Sequence, residues 1–182
     1  INEKCCALDF PKNVTFIHAD ATDPTICDLL PDIMFDVIID DGSHVPEDVI
    51  KSFSLLFEKL APGGKYIIED LETSYDSHYG GGFRSGQSSI EWSKGFIDAL
   101  NVDHIASEDR FNAVDSEALL KTGYRLWKTS FYDSVVVFHT LKTPKEGPFC
   151  RLFVGKTASV MDPIEWIGHV DPYVLGNIGF ND

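Results

Sequence analysis

The stretch FDVIIDDGSH, residues 35–44, decides how this chain is read. Val37, Ile38 and Ile39 form a continuous apolar centre, the pattern of a strand buried on both faces. Asp40, Asp41, Gly42, Ser43 and His44 follow without a spacer. Two carboxylates and an imidazole at the tip of an apolar strand add nothing to a core. They have two readings: a structural one, in which the acids bind backbone amides and His44 caps a helix, and a chemical one.

The flanking residues complete a unit. Pro46, Glu47 and Asp48 suit a first helical turn, where a missing N–H costs nothing and negative charge faces the positive end of the helix dipole. Ile50, Phe53, Phe57 and Leu60 recur at helical spacing and predict an amphipathic helix. APGG, residues 61–64, is expected to end it, and Lys65–Glu69 is the next predicted strand. Strand, helix and strand within residues 35–69 make a βαβ unit, which builds parallel sheets.

Other elements are shorter. Val14–His18 is a predicted β-rich strand, and Thr25–Leu30 is a short helix stopped near Pro31. Residues 71–88 read as a loop, 89–101 as a helix and 116–121 as a short helix. Tyr124–Ser130 and Ser134–Thr140 are predicted strands forming an antiparallel pair, with Leu152–Gly155 a weaker strand candidate. Residues 1–182 read as a single domain, with 156–182 a tail of no clear pattern.

Composition narrows the function classes. Hydrophobic residues are 43% and charged residues 24% of 182, ordinary usage for a globular chain with a sizeable core. No apolar run approaches the roughly 20 residues of a membrane span. A net charge of -14 repels phosphate backbones and anionic lipid, so nucleic acid and membrane are poor partners. Cys5, Cys6, Cys27 and Cys150 show neither zinc spacing nor a disulfide framework, which suggests a cytoplasmic setting.

In an open parallel sheet, ligands bind beyond the carboxyl ends of the strands. DDGSH follows one predicted strand and EDLETSY the next. If the strands are neighbours, Asp41, Glu69 and Asp70 face one crevice, with His44 a step beyond. Crowded carboxylates repel one another, and a divalent cation relieves that repulsion. Oxygen donors suit magnesium or another hard divalent cation rather than zinc. A neutral histidine beside a metal-bound hydroxyl could take its proton. YGGGFRSG, 79–86, lacks the spacing of a phosphate loop; it reads first as a plain flexible loop and second as a mobile flap over the cleft. Within the 71–88 loop, His78 and Arg84 are weaker substrate-contact candidates.

FDVIIDDGSH and LFEKLAPGGKYIIEDLETSY together resemble the class I S-adenosylmethionine-dependent methyltransferases. The likeness is greatest to the metal-dependent macrolide-sugar O-methyltransferases of the mycinamicin type, and it continues through IEWSKGFIDALN and FYDSVVVF. LAPGG alone is common to many methyltransferases; DDGSH with EDLETSY at this separation is far more specific.

The resemblance implies an α/β fold, a Rossmann-like class I methyltransferase sheet with helices on both faces. It implies that Asp41, Glu69 and Asp70 hold Mg2+, and that His44 is the base for a hydroxyl of a sugar or other small polyol. It places Asp20 and Ala21 near the adenine of S-adenosylmethionine and Asp40 near its methionine part. It also implies that the glycine-rich cofactor loop, the first strand, the first helix and most of the second strand lie upstream of INEKC, leaving a gap in this chain's sheet. The expected partner is a small-molecule hydroxyl substrate; self-association into a homo-oligomer is left open. The rival readings are a non-catalytic scaffold or cofactor-binding domain of the same fold, and a metal-dependent hydrolase using a metal-bound water.

Overall fold

A computed structural model describes residues 3–101 and 122–145. Its centre is a four-stranded mixed sheet in the order β1-β2-β4-β3. Strand β1 is Phe35–Asp40, β2 is Leu60–Ile68, β3 is Leu126–Tyr132 and β4 is Val135–Thr140. The helices are α1, Ile26–Leu29; α2, Pro46–Leu56; α3, Ser89–Lys94; and α4, Phe96–Leu100. The predicted helix at 116–121 and strand at Leu152–Gly155, with the tail from 156, lie outside the described residues.

The βαβ unit forms as expected. β1 and β2 are parallel neighbours, with Ile38 opposite Tyr66 and Asp40 opposite Ile68. Pro46 opens α2, with Glu47 and Asp48 in its first turn. Leu71, just past β2, donates its N–H to the Ser134 carbonyl in the β3–β4 turn at 2.9 Å. The antiparallel β3–β4 pair is also as expected, its turn falling at Asp133–Ser134.

One sheet face carries the core. Paired residues share a face, so Ile38, Tyr66 and Phe138 lie in one row and Ile68 and Val136 in the next. Phe53 of α2 packs at the centre, with ring centroids 4.8 Å from Tyr66, 5.1 Å from Phe138, 5.1 Å from Trp92 and 5.3 Å from Phe96. Arg125 ties the edge of this core. It donates to the Leu60 carbonyl at 2.7 Å and the Phe57 carbonyl at 3.2 Å, and lies over the Phe57 ring.

Four local expectations need correction. APGG does not end the helix as a loop; a 3-10 turn, Phe57–Lys59, does so, and residues 61–64 belong to β2. Between the Phe35–Leu60 and Val37–Lys65 pairs, β2 bulges where Pro62 has no N–H for the ladder. A Cβ on Gly64 would meet the Ala61 and Asp36 carbonyl oxygens at 2.8 and 2.9 Å, and Thr140 Oγ1 donates to Ala61 and Gly64 carbonyls. The bulge is therefore a packed feature rather than a free loop.

Second, β1 is not buried on both faces: Val37 and Ile39 are 48% and 56% exposed. They share the face of Lys65, His139 and Ile67, away from the aromatic core. Third, Val14–His18 is not a strand. Its β-branched and aromatic residues find no ladder partner among the described residues, and Val14 and Phe16 stay exposed. Fourth, the helix expected over 89–101 divides at Gly95, which lies between α3 and α4.

Candidate active site

The carboxyl ends of β1 and β2 lie side by side, and the Glu69 N–H donates to the Asp40 carbonyl at 3.0 Å. Beyond this bond the two strand tips turn away into loops. Asp70 takes a left-handed backbone (φ 54°, ψ 39°) and opens a 3-10 turn, Leu71–Tyr75. His44, just before α2, is also left-handed (φ 59°). These turns bring three side chains together. His44 Nε2 lies 3.5 Å from Asp70 Oδ2 and 3.9 Å from Asp41 Oδ1. One ligand atom from each of Asp41, His44 and Asp70 falls within 4.8 Å of the others. The carboxylates are more than half exposed, at 63% and 51%, whereas the imidazole is 19% exposed.

Glu69, the third expected metal ligand, is not part of this group. Glu69 is the last residue before the left-handed backbone at Asp70, and it is the Asp70 carboxylate, past that turn, that meets His44.

Asp40 faces α2. The Ser52 hydroxyl donates to Asp40 Oδ2, and the Tyr66 hydroxyl donates to the same oxygen at 3.3 Å. Burial, and then the Asp40 charge, push the Tyr66 phenol well above its ordinary value. Asp40 thus serves as the polar anchor of α2 on the sheet, a role the sequence reading did not assign to it.

Asp20 is exposed and closes a local turn, accepting from the Thr22 N–H at 2.8 Å and the Thr22 hydroxyl at 2.9 Å. Those bonds, the backbone one first, hold its carboxyl below the usual carboxylate value. Ala21 lines an apolar groove of about 310 Å³ with Ile17, Ala19, Ile26, Val37 and Leu56. Asp20 sits in the chain between two lining alanines, Ala19 and Ala21, but does not itself line the groove.

Two further residues touch the cluster. Tyr79 sets its ring edge-on to His44, with centroids 6.4 Å apart. Thr73 reaches the carbonyls of both His44 and Asp70. Of these, Thr73 had a sequence signal, a hydroxyl three residues after an acid at a turn. Tyr79 had none beyond its loop. His78 is exposed and paired with Asp76 at 2.8 Å, and Arg84 lies against the adjacent Phe83 ring.

No family model matches the chain. Curated relatives do. The 8-demethyl-8-alpha-L-rhamnosyl tetracenomycin-C 2'-O-methyltransferase of Streptomyces olivaceus is 40% identical over 88 residues, 47% of this chain and 23% of that protein. The L-olivosyl-oleandolide 3-O-methyltransferase of Streptomyces antibioticus is 49% identical over 73 residues, 38% of this chain and 19% of that protein.

Among solved structures, the MycE methyltransferase of the mycinamycin pathway in complex with Mg, SAH and mycinamycin VI aligns with a TM-score of 0.60 at 27% identity. The alignment covers 74% of this chain and 33% of that one. A second crystal form with Mg and SAH gives 0.62 at 28% identity, covering 74% of this chain and 34% of that one.

This chain resembles the sugar O-methyltransferases. Its fold is that of part of the MycE methyltransferase, a mixed sheet with helices. It spans about a quarter or less of the length of the curated sugar O-methyltransferases it matches.

Proposed function

We propose that this chain carries the metal and base site of an S-adenosylmethionine-dependent, divalent-metal-dependent O-methyltransferase acting on a hydroxyl of a sugar or related small polyol. The observation that carries this reading is the convergence of Asp41, His44 and Asp70 where two parallel strands end side by side. Similarity to sugar O-methyltransferases and to MycE with Mg and SAH supports it.

The donor set fits a hard divalent cation. Asp41 and Asp70 offer exposed carboxylate oxygens, which leave room for water or a substrate oxygen beside them. Glu69, the third ligand that the resemblance implies, lies outside this group. A bound cation would make a coordinated hydroxyl easier to deprotonate. His44 Nε2, facing both carboxylates, is placed to take that proton, and its low exposure keeps it from bulk water. For S-adenosylmethionine, Ala21 and the other apolar residues of the groove suit a flat nucleobase, with Asp20 beside it. The methionine end would lie towards Asp40, whose bonds to Ser52 and Tyr66 fix the β1 tip. The sulfonium already activates the methyl, so the protein's share is orientation and proton removal. A cytoplasmic location accords with Cys5, Cys6 and Cys27, all free thiols.

The test is methyl transfer from isotopically labelled S-adenosylmethionine to a panel of deoxysugar and rhamnosyl glycosides, with and without Mg2+. Label in the sugar product that disappears with EDTA supports the reading. Sugar-independent hydrolysis that proceeds without S-adenosylmethionine would replace it with the hydrolase reading.

A further inference from the structure

Both residues whose side chains meet at 3.5 Å in the site, His44 and Asp70, hold left-handed backbones although neither is glycine. Non-glycine residues enter that region at a steric cost and stay only where their surroundings hold them. The two sit on loops that follow different strands, so something must link the loops. Thr73 reaches both. Its Oγ1 donates to the Asp70 carbonyl at 2.7 Å and lies 3.5 Å from the His44 carbonyl, and its N–H donates to the Asp70 carbonyl at 3.1 Å.

We propose that Thr73 is a positioning residue whose hydroxyl clips the His44 and Asp70 loops together and so sets the distance between the imidazole and the Asp70 carboxylate. This rests on the reading of the cluster as a metal and base site. The Thr73 N–H alone can close the 3-10 turn, since it already bonds the Asp70 carbonyl. What the hydroxyl adds is the reach to the second loop. Serine keeps that oxygen; valine keeps the branched shape and loses it. A residue that merely completed the turn would alter local stability and leave the His44 ring where it is.

Two readouts test the clip without any assay of turnover. The first is the imidazole 1H–15N spectrum of His44 in metal-free, cofactor-free protein, and the second is a calorimetric titration with Mg2+. Thr73→Val is expected to move the His44 ring resonances and weaken Mg2+ binding by about ten-fold, the range for groups that orient metal ligands. Thr73→Ser is expected to restore both. Thr73→Ala is a second hydroxyl-free variant if valine prevents folding. The proposal is overturned if the hydroxyl-free variant keeps the wild-type His44 resonances and Mg2+ affinity with only its melting temperature changed, or if serine behaves like valine. If the wild-type protein takes up no Mg2+, the proposed function fails, while the His44 resonances still decide the clip.

Discussion

His44 Nε2 faces Asp70 Oδ2 across 3.5 Å, although the two residues belong to loops after different strands. The imidazole is mostly covered while the carboxylates are open. That arrangement separates two jobs: the acids can reach a cation, and the ring can reach a proton beside it.

His44→Ala should therefore lower methyl transfer by about 10²–10⁴-fold, the usual share of a positioned base. Cofactor affinity should stay within a few-fold of the wild type, and so should Mg2+ affinity. Turnover and two binding titrations on the same preparation check this. A loss of Mg2+ affinity as large as that of an Asp41 variant would make His44 a ligand instead of a base.

Asp40, Ser52 and Tyr66 give a prediction on pH. The Tyr66 phenol is raised from an ordinary value of 10.0 by burial and then by the Asp40 charge. A group whose folded value is raised contributes stability that is complete below its unfolded value and is lost as pH rises towards the folded one. The unfolded chain releases the proton first. Above about pH 10 the stability should fall by up to about 1.4 kcal/mol per pH unit from this one group. Tyr66→Phe should show a shallower alkaline decline than the wild type in urea titrations from pH 9 to 11. Equal slopes would mean the phenol is not held neutral by the fold.

Phe53 is the centre of the aromatic core, within about 5 Å of the Tyr66, Trp92, Phe96 and Phe138 rings. Phe53→Ala should cost about 3–5 kcal/mol of folding stability, from lost transfer energy and a cavity that α2 cannot close. Chemical denaturation measures it. A cost under about 1 kcal/mol would mean that α2 does not pack on the sheet as described.

The sequence made the βαβ unit legible because its signals agree: an apolar strand, proline and acids at a helix start, helical apolar spacing, then a second strand. It also placed Asp41, Asp70 and His44 at one edge, since parallel neighbours end on the same side. What it hid depends on partners distant in sequence. Val14–His18 has strand composition, yet a ladder needs a neighbour. Gly64 reads as a turn until the Ala61 and Asp36 carbonyls are seen to leave no room for a Cβ there. Asp40 and Asp41 look alike in the sequence, but strand alternation turns Asp40 into the α2 interface, where Ser52 awaits it. The left-handed turns at His44 and Asp70 could not be read from residue type, because neither residue is glycine.

The most direct test is calorimetric titration of Mg2+ into the wild-type protein and into Asp41→Ala, Asp70→Ala and Glu69→Ala. The account predicts one saturable site in the wild type, weakened at least ten-fold by either aspartate substitution and less by Glu69→Ala, whose carboxylate lies outside the cluster. Wild-type affinity in both aspartate variants would contradict it.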